Sequence, residues 1–129
     1  ATFPYRLGIM KFPSSRRLKQ RSEFLLVRKK GKSIQGRFLV LGYLQDPNGE
    51  PTRLGLITTK RLGNAVVRNR VRRRLRGLMQ RIGERFVPGY WLVLIARHAA
   101  AEASSEQLEK EWKWLMHRAS LMRPKEESP

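Results

Sequence analysis

Lys60-Arg61-Leu62-Gly63-Asn64-Ala65-Val66-Val67-Arg68-Asn69-Arg70-Val71-Arg72-Arg73-Arg74-Leu75-Arg76 is the stretch around which the rest of the chain is read. Wound at about 100° per residue, Val67, Val71, Leu75, Leu78 and Ile82 fall within an arc of about 80°. That spacing predicts a long helix from Ala65 to Arg85 with this stripe against a core, weakened slightly by Gly77 and Gly83. Arg68, Arg72 and Arg76 stand beside the stripe, and Arg70, Arg73, Arg74 and Arg81 cover the remaining faces. Like charges four residues apart destabilise an isolated helix. From Pro51 to Gly83 there are ten Lys or Arg and no acid. An ordinary solvated stripe interleaves both signs, so this one reads as a face for phosphates. All seven of these cations are Arg, whose guanidinium forks onto phosphate oxygens and stacks on bases better than an ammonium does. Asn69 adds an amide that suits a base edge or a 2′-hydroxyl.

Strand patterns flank this helix. Arg53 to Thr59 reads as a strand, and Tyr90 to Ala96 is a continuous apolar run that predicts a buried one. The two can close as a parallel crossover around the helix, right-handed by the general rule. Upstream, Lys32 to Gln35 and Arg37 to Leu44 read as strands interrupted at Gly36. Asp46-Pro47-Asn48-Gly49-Glu50-Pro51 is dense turn chemistry, which predicts that Arg37–Leu44 and Arg53–Thr59 pair antiparallel. Ser22 to Lys30 reads as a helix capped by Ser22 and ended by Gly31 in the left-handed conformation. Ala99 to Ala103 reads as a loose connection. Ser104 to Met122 reads as a second amphipathic helix, with Ser104 and Gln107 at capping-box spacing and Leu108, Trp112, Leu115, Ala119 and Met122 on one stripe. Helices packed on a mostly antiparallel sheet are the natural solution, an α+β class. Residues 1–15 read as an extended basic and aromatic arm, 16–122 as one α/β domain, and 123–129 as a flexible tail.

Composition narrows the function. The chain has 129 residues, 40% of them hydrophobic, and a formal charge of +18. That is one domain with a modest core, and its charge is the footprint of a nucleic-acid binder. Residues 1–100 hold 23 of the 28 bases and 4 of the 10 acids, so the last part of the chain stands outside the cationic surface. There is no cysteine, which excludes disulfides, thiol nucleophiles and cysteine-ligated zinc and fits an intracellular protein. No apolar run is long enough to cross a bilayer. Arg16-Arg17 is followed by Leu18-Lys19-Gln20-Arg21 rather than by an apolar run, which argues against a twin-arginine signal. His98 and His117 are the only histidines, and no catalytic or metal-binding constellation is expected. Phe24 and Arg28, four apart on the first helix, could form an aromatic-cationic surface of the kind that holds single-stranded RNA.

The run from Lys60 to Arg76, with Arg68-Asn69-Arg70 at its centre, resembles the signature of the bacterial ribonuclease P protein subunit. Leu18-Lys19 with Phe24, Gly31-Lys32-Ser33, Arg53-Leu54-Gly55-Leu56 and the strand before Ala96-Arg97 support it, so the likeness covers residues 16–122. The resemblance implies an α-β-β-β-α-β-α two-layer sandwich similar to a ribosomal-protein domain, with a left-handed crossover. It implies a cytoplasmic, non-catalytic subunit of a ribozyme endoribonuclease that matures the 5′ end of tRNA. Its partners would be the catalytic RNA and precursor tRNA, with no membrane and no obligate protein partner. The protein itself would bind no cofactor, and magnesium would act with the RNA subunit. Lys60, Arg61, Arg68, Asn69, Arg70, Arg72, Arg73 and Arg76 would contact the catalytic RNA. Phe24 would line the cleft for the single-stranded leader, with Arg28 where some members carry a second aromatic. The strand position of that cleft falls to Leu41 or Tyr43. A structural ribosomal protein that binds rRNA is the alternative reading. A protein-only nuclease lacks the clustered acids it needs, and a DNA-binding regulator lacks helix-turn-helix spacing.

Overall fold

A computed structural model describes residues 17–46, 52–81 and 89–121. The N-terminal arm, the C-terminal tail, the Asn48-Gly49 turn and the end of the long helix predicted beyond Arg81 lie outside the described residues. The elements are α1 (Arg21–Lys30), β1 (Lys32–Gln35), β2 (Leu39–Gln45), β3 (Arg53–Ile57), α2 (Ala65–Arg81), β4 (Tyr90–Ala96) and α3 (Ser105–Arg118). Short 3-10 turns at Lys60–Leu62 and His98–Glu102 precede α2 and α3.

The four strands lie in the order β1-β2-β4-β3. β2 pairs antiparallel with β1 and with β4, and β3 pairs with β4 in parallel. The expected hairpin between β2 and β3 is therefore absent. β4 stands between them, because a run apolar on both faces is stable only where both faces are covered. The ends of the turn-rich segment sit on the start of β4 instead. Asp46 N donates to Gly89 O at 2.8 Å, Trp91 Nε1 donates to Asp46 Oδ2 at 3.2 Å, and Tyr90 N donates to Thr52 Oγ1 at 3.3 Å. The helix α2 is the crossover between the parallel neighbours.

One sheet face carries the main core. Leu39, Leu41, Leu54, Leu92 and Leu94 meet Val71, Leu75 and Leu78 of α2 and Leu108, Trp112 and Leu115 of α3. The described parts of both helical stripes thus face inward as their spacing predicts, with Val67 and Ala119 half-buried, while Ile82 and Met122 lie outside the described residues. Asn64 caps α2, its Oδ1 accepting from Val67 N at 3.0 Å. The capping box of α3 forms: Gln107 N donates to Ser104 Oγ at 3.0 Å and Ser104 N to Gln107 Oε1 at 2.9 Å. The helix ends at Arg118, short of the predicted Met122. Ser120 turns the chain at φ 59°, and Leu121 is buried in the core.

On the opposite sheet face α1 packs through Val27, and Phe24 and Leu18 close a smaller cluster with Val93. Two local expectations fail here. Ser22 is not the cap, because α1 starts one residue earlier and Glu23 Oε1 accepts from Lys19 N at 2.8 Å and Gln20 N at 3.0 Å. Gly31 is extended at φ −88°, not left-handed. Its value is close approach: a Cβ there would run into the carbonyls of Tyr43 and Val27. Leu18 N donates to Leu54 O at 2.8 Å, which lays residues 17–18 along the outer edge of β3.

Glu23 also pairs with Arg53 at 2.9 Å. Burial alone would raise its pKa, but the Gln20 and Lys19 amides and Arg53 outweigh that and hold it below 4.5. A depressed carboxyl contributes stability above its unfolded pKa and loses it as pH falls through the folded one. Acid titration of wild type is therefore expected to show a loss below about pH 4.5 that Glu23→Gln lacks, read as the urea midpoint against pH.

Candidate nucleic-acid interface

The arginines of α2 divide into two rows and an outward arc around the core stripe. Arg68, Arg72 and Arg76 lean toward β3. Arg68 Nη1 donates to Gly63 O at 2.9 Å, and Arg72 donates to Thr58 Oγ1 at 2.6 Å and Asn69 Oδ1 at 2.7 Å. Asn69 thus braces Arg72 through its side-chain oxygen, and its amide NH2 has no partner among the described residues. Burial first, and then the like charges of Arg72 and Arg17, push the Arg76 guanidinium below its ordinary pKa. It stays charged in any case, so the row carries repulsion that a phosphate would relieve.

Arg70 and Arg74 form the second row, toward α3. Arg70 donates to Ala101 O at 3.3 Å and Arg74 to Ala103 O at 3.0 Å. Arg70 is half-buried like Arg68, Arg72 and Arg76, but its Nε is fully buried and its guanidinium ties α2 to the turn before α3. Asn69, Arg73 and Val66 occupy the exposed outer arc. Lys60 and Arg61 are exposed on the 3-10 turn that leads into α2. The structure thus gathers Lys60, Arg61, Arg68, Asn69, Arg72, Arg73 and Arg76 on one end and two adjacent faces of α2, and turns Arg70 away.

An open groove of about 460 Å³ lies on the other sheet face, between α1 and the strands. Phe24, Arg28 and Lys32 rim it, and Val40, Gly42, Ile57, Val93 and Ile95 line it. Phe24 lies across Gly55, where an added Cβ would sit 2.5 Å from the ring. Tyr43 does not enter this groove. It packs on the main-core face, its ring 6.5 Å from that of Tyr90. Leu41 shares that face, so Val40 and Gly42 hold the strand position that the resemblance gave to Leu41 or Tyr43. Side chains alternate along a strand, and a shift of one residue exchanges the faces.

Sequence reading missed Thr58, which anchors Arg72, and Arg17, which crowds Arg76. A hydroxyl at a strand end is a weak signal, and Arg17 reaches the site only through its bridge to Leu54. Among the described residues no three His, Asp or Glu side chains gather as metal ligands. None of the described helices is long and apolar enough to cross a membrane.

A helix whose arginines have no ion-pair partner among the described residues, folded on a mixed sheet with an open aromatic-rimmed groove behind it, defines a small basic α+β domain with a polyanion-ready surface. The chain belongs to the ribonuclease P protein family: the family described as Ribonuclease P matches residues 12–120. A ribonuclease P protein component of Symbiobacterium thermophilum is 40% identical over 106 residues, covering 82% of this chain and 92% of that protein. One from Bacillus pumilus is 36% identical over 114 residues, covering 87% and 96%. The RNase P protein of Staphylococcus aureus superposes with a TM-score of 0.77 at 26% identity, over 84% of this chain and 98% of that one. The RNase P protein of Thermotoga maritima gives 0.71 at 26% identity, over 79% and 96%.

Proposed function

We propose that this protein is the RNA-binding subunit of a cytoplasmic ribonuclease P that removes the 5′ leader of precursor tRNA. The half-buried row Arg68, Arg72 and Arg76 and the exposed Arg73 of α2 bind the catalytic RNA, and the groove behind them holds the single-stranded leader. The RNA and its magnesium ions carry the hydrolysis. The observation that supports this best is the row Arg68, Arg72 and Arg76, which has no carboxylate partner among the described residues and is crowded by Arg17. Free, such a row repels itself; on a phosphate scaffold it is neutralised. Phe24, with Arg28 and Lys32 beside it, combines a stacking surface with backbone cations, which suits a single strand. Family membership and the fold both accord with this reading.

The test adds purified protein to the cognate catalytic RNA at low magnesium and follows precursor tRNA cleavage. Restored processing is the expected result. Arg68→Ala is expected to weaken catalytic-RNA binding and leave precursor tRNA discrimination unchanged, whereas Phe24→Ala weakens precursor binding by the worth of one stacked base, about 1–3 kcal/mol. If both variants changed leader binding alone, the division of surfaces would be wrong. Arg70→Ala is a poorer probe, because its bond to Ala101 makes it a test of the fold as well.

A further inference from the structure

Beyond the groove the sheet ends in a second recess of about 670 Å³. Arg37, Arg61, Arg97, His98 and Thr59 surround it, over a floor that includes Ile95. Arg37 precedes β2, Arg61 follows β3 and Arg97 follows β4, so three separate connections bring three guanidiniums to one place. It lies off the carboxyl ends of the parallel pair β3 and β4, the side of an open α/β sheet where ligands collect. All three arginines are exposed, and none forms an ion pair among the described residues. The frame is tied by its backbone. Arg97 N donates to Phe38 O at 2.8 Å, Arg97 Nη1 donates to Gly36 O at 2.6 Å, and His98 Nδ1 lies 2.8 Å from Arg61 O. Arg37 is held over the Phe38 ring at 5.2 Å, and among the described residues no acceptor takes its guanidinium donors.

Ile95 lines both this recess and the groove of Phe24 and Arg28. The two therefore adjoin along the sheet, with aromatic and apolar lining at the α1 end and cationic lining at the other. We propose that the recess is the exit of the groove and grips backbone phosphates of the RNA single strand lying there, with Arg37 as the principal phosphate ligand and Arg97 beside it. The inference rests on the groove holding a single strand. Guanidiniums suit this role because they meet phosphate oxygens in pairs. A duplex is the poorer occupant, since it has no unstacked base to lay on Phe24 while its phosphates reach Arg37.

The experiment titrates the full-length protein into labelled single-stranded RNAs of about four and about twelve nucleotides, read by fluorescence anisotropy. Phe24→Ala is expected to weaken both. Arg37→Gln is expected to leave the short strand as in wild type and to weaken the long one about tenfold, the worth of one charge-assisted contact. The salt slope for the long strand becomes shallower by about 0.7 for each phosphate released. Arg37→Glu enlarges the loss, and far-UV circular dichroism shows that both variants remain folded. If neither Arg37 variant changes long-strand binding while Phe24→Ala still weakens both, the recess is not the exit and the groove reading stands. If Phe24→Ala changes neither strand, the groove reading falls and the exit falls with it.

Discussion

Arg72→Met combined with Arg76→Met is expected to lower affinity for the catalytic RNA about a hundredfold, two charge-assisted contacts at roughly 1.4 kcal/mol each. Methionine keeps much of the apolar stem and removes the charge, so packing is largely spared. The dependence of log affinity on log salt is expected to become shallower by about 1.8, from roughly 0.9 per phosphate. The free protein should respond in the opposite sense at the second site. Burial and the charges of Arg72 and Arg17 oppose the Arg76 guanidinium, so Arg76→Met alone is expected to leave the urea midpoint at low salt unchanged or higher. Binding residues that strain the free protein show this exchange of stability for function. A lower midpoint together with unchanged RNA affinity would mean that Arg76 serves the fold.

The second large effect concerns the break between β1 and β2. Glu111 of α3 spreads its carboxylate over that bend: Oε1 accepts from Arg37 N at 2.9 Å, and Oε2 accepts from Phe38 N and Leu39 N, each at 2.7 Å. Gly36 makes room, since a Cβ there would lie 2.4 to 3.0 Å from the carboxylate atoms and clash with them. Glu111→Ala strands three backbone donors, two of them part-buried, and each stranded donor costs on the order of 1–3 kcal/mol. The expected loss is about 3 kcal/mol or more, a large share of the roughly 5–15 kcal/mol that holds a domain together. Glu111→Gln keeps one acceptor oxygen and is expected to lose about half as much. Urea denaturation of the three proteins measures both, and a loss below about 1 kcal/mol for Glu111→Ala would show that the bend holds itself.

The helices were legible because their information is periodic. Val71, Leu75 and Leu78 on α2, and Leu108, Trp112 and Leu115 on α3, each bury one stripe, and Ser104 with Gln107 marked the start of α3. Strand order was not legible in the same way. The Asn48-Gly49 turn signal is local, and it outweighed the apolar run of β4, which claims the middle of the sheet through contacts distant in sequence. Tyr43 was misplaced for a related reason. Its face is set by the pairing of β2 with β4, which puts Tyr43 opposite Leu92 on the main-core side, and a strand apolar on both faces does not mark which side is which. In the candidate interface the abundance and kind of charge on α2 were readable directly. The inward bond of Arg70 was not, because its acceptor Ala101 belongs to a 3-10 turn that reads as a loose connection. Arg17 became part of the site only when residues 17–18 joined the edge of β3.

The central claim is that the arginine face of α2 binds a folded RNA through its phosphates. Equilibrium binding of the wild-type protein to the cognate catalytic RNA over a range of monovalent salt tests it most directly. Contacts with about six phosphates predict a slope near −5 in log affinity against log salt, reduced by the Arg72→Met and Arg76→Met pair. A slope near zero, or a steep slope that the pair leaves untouched, would contradict the account.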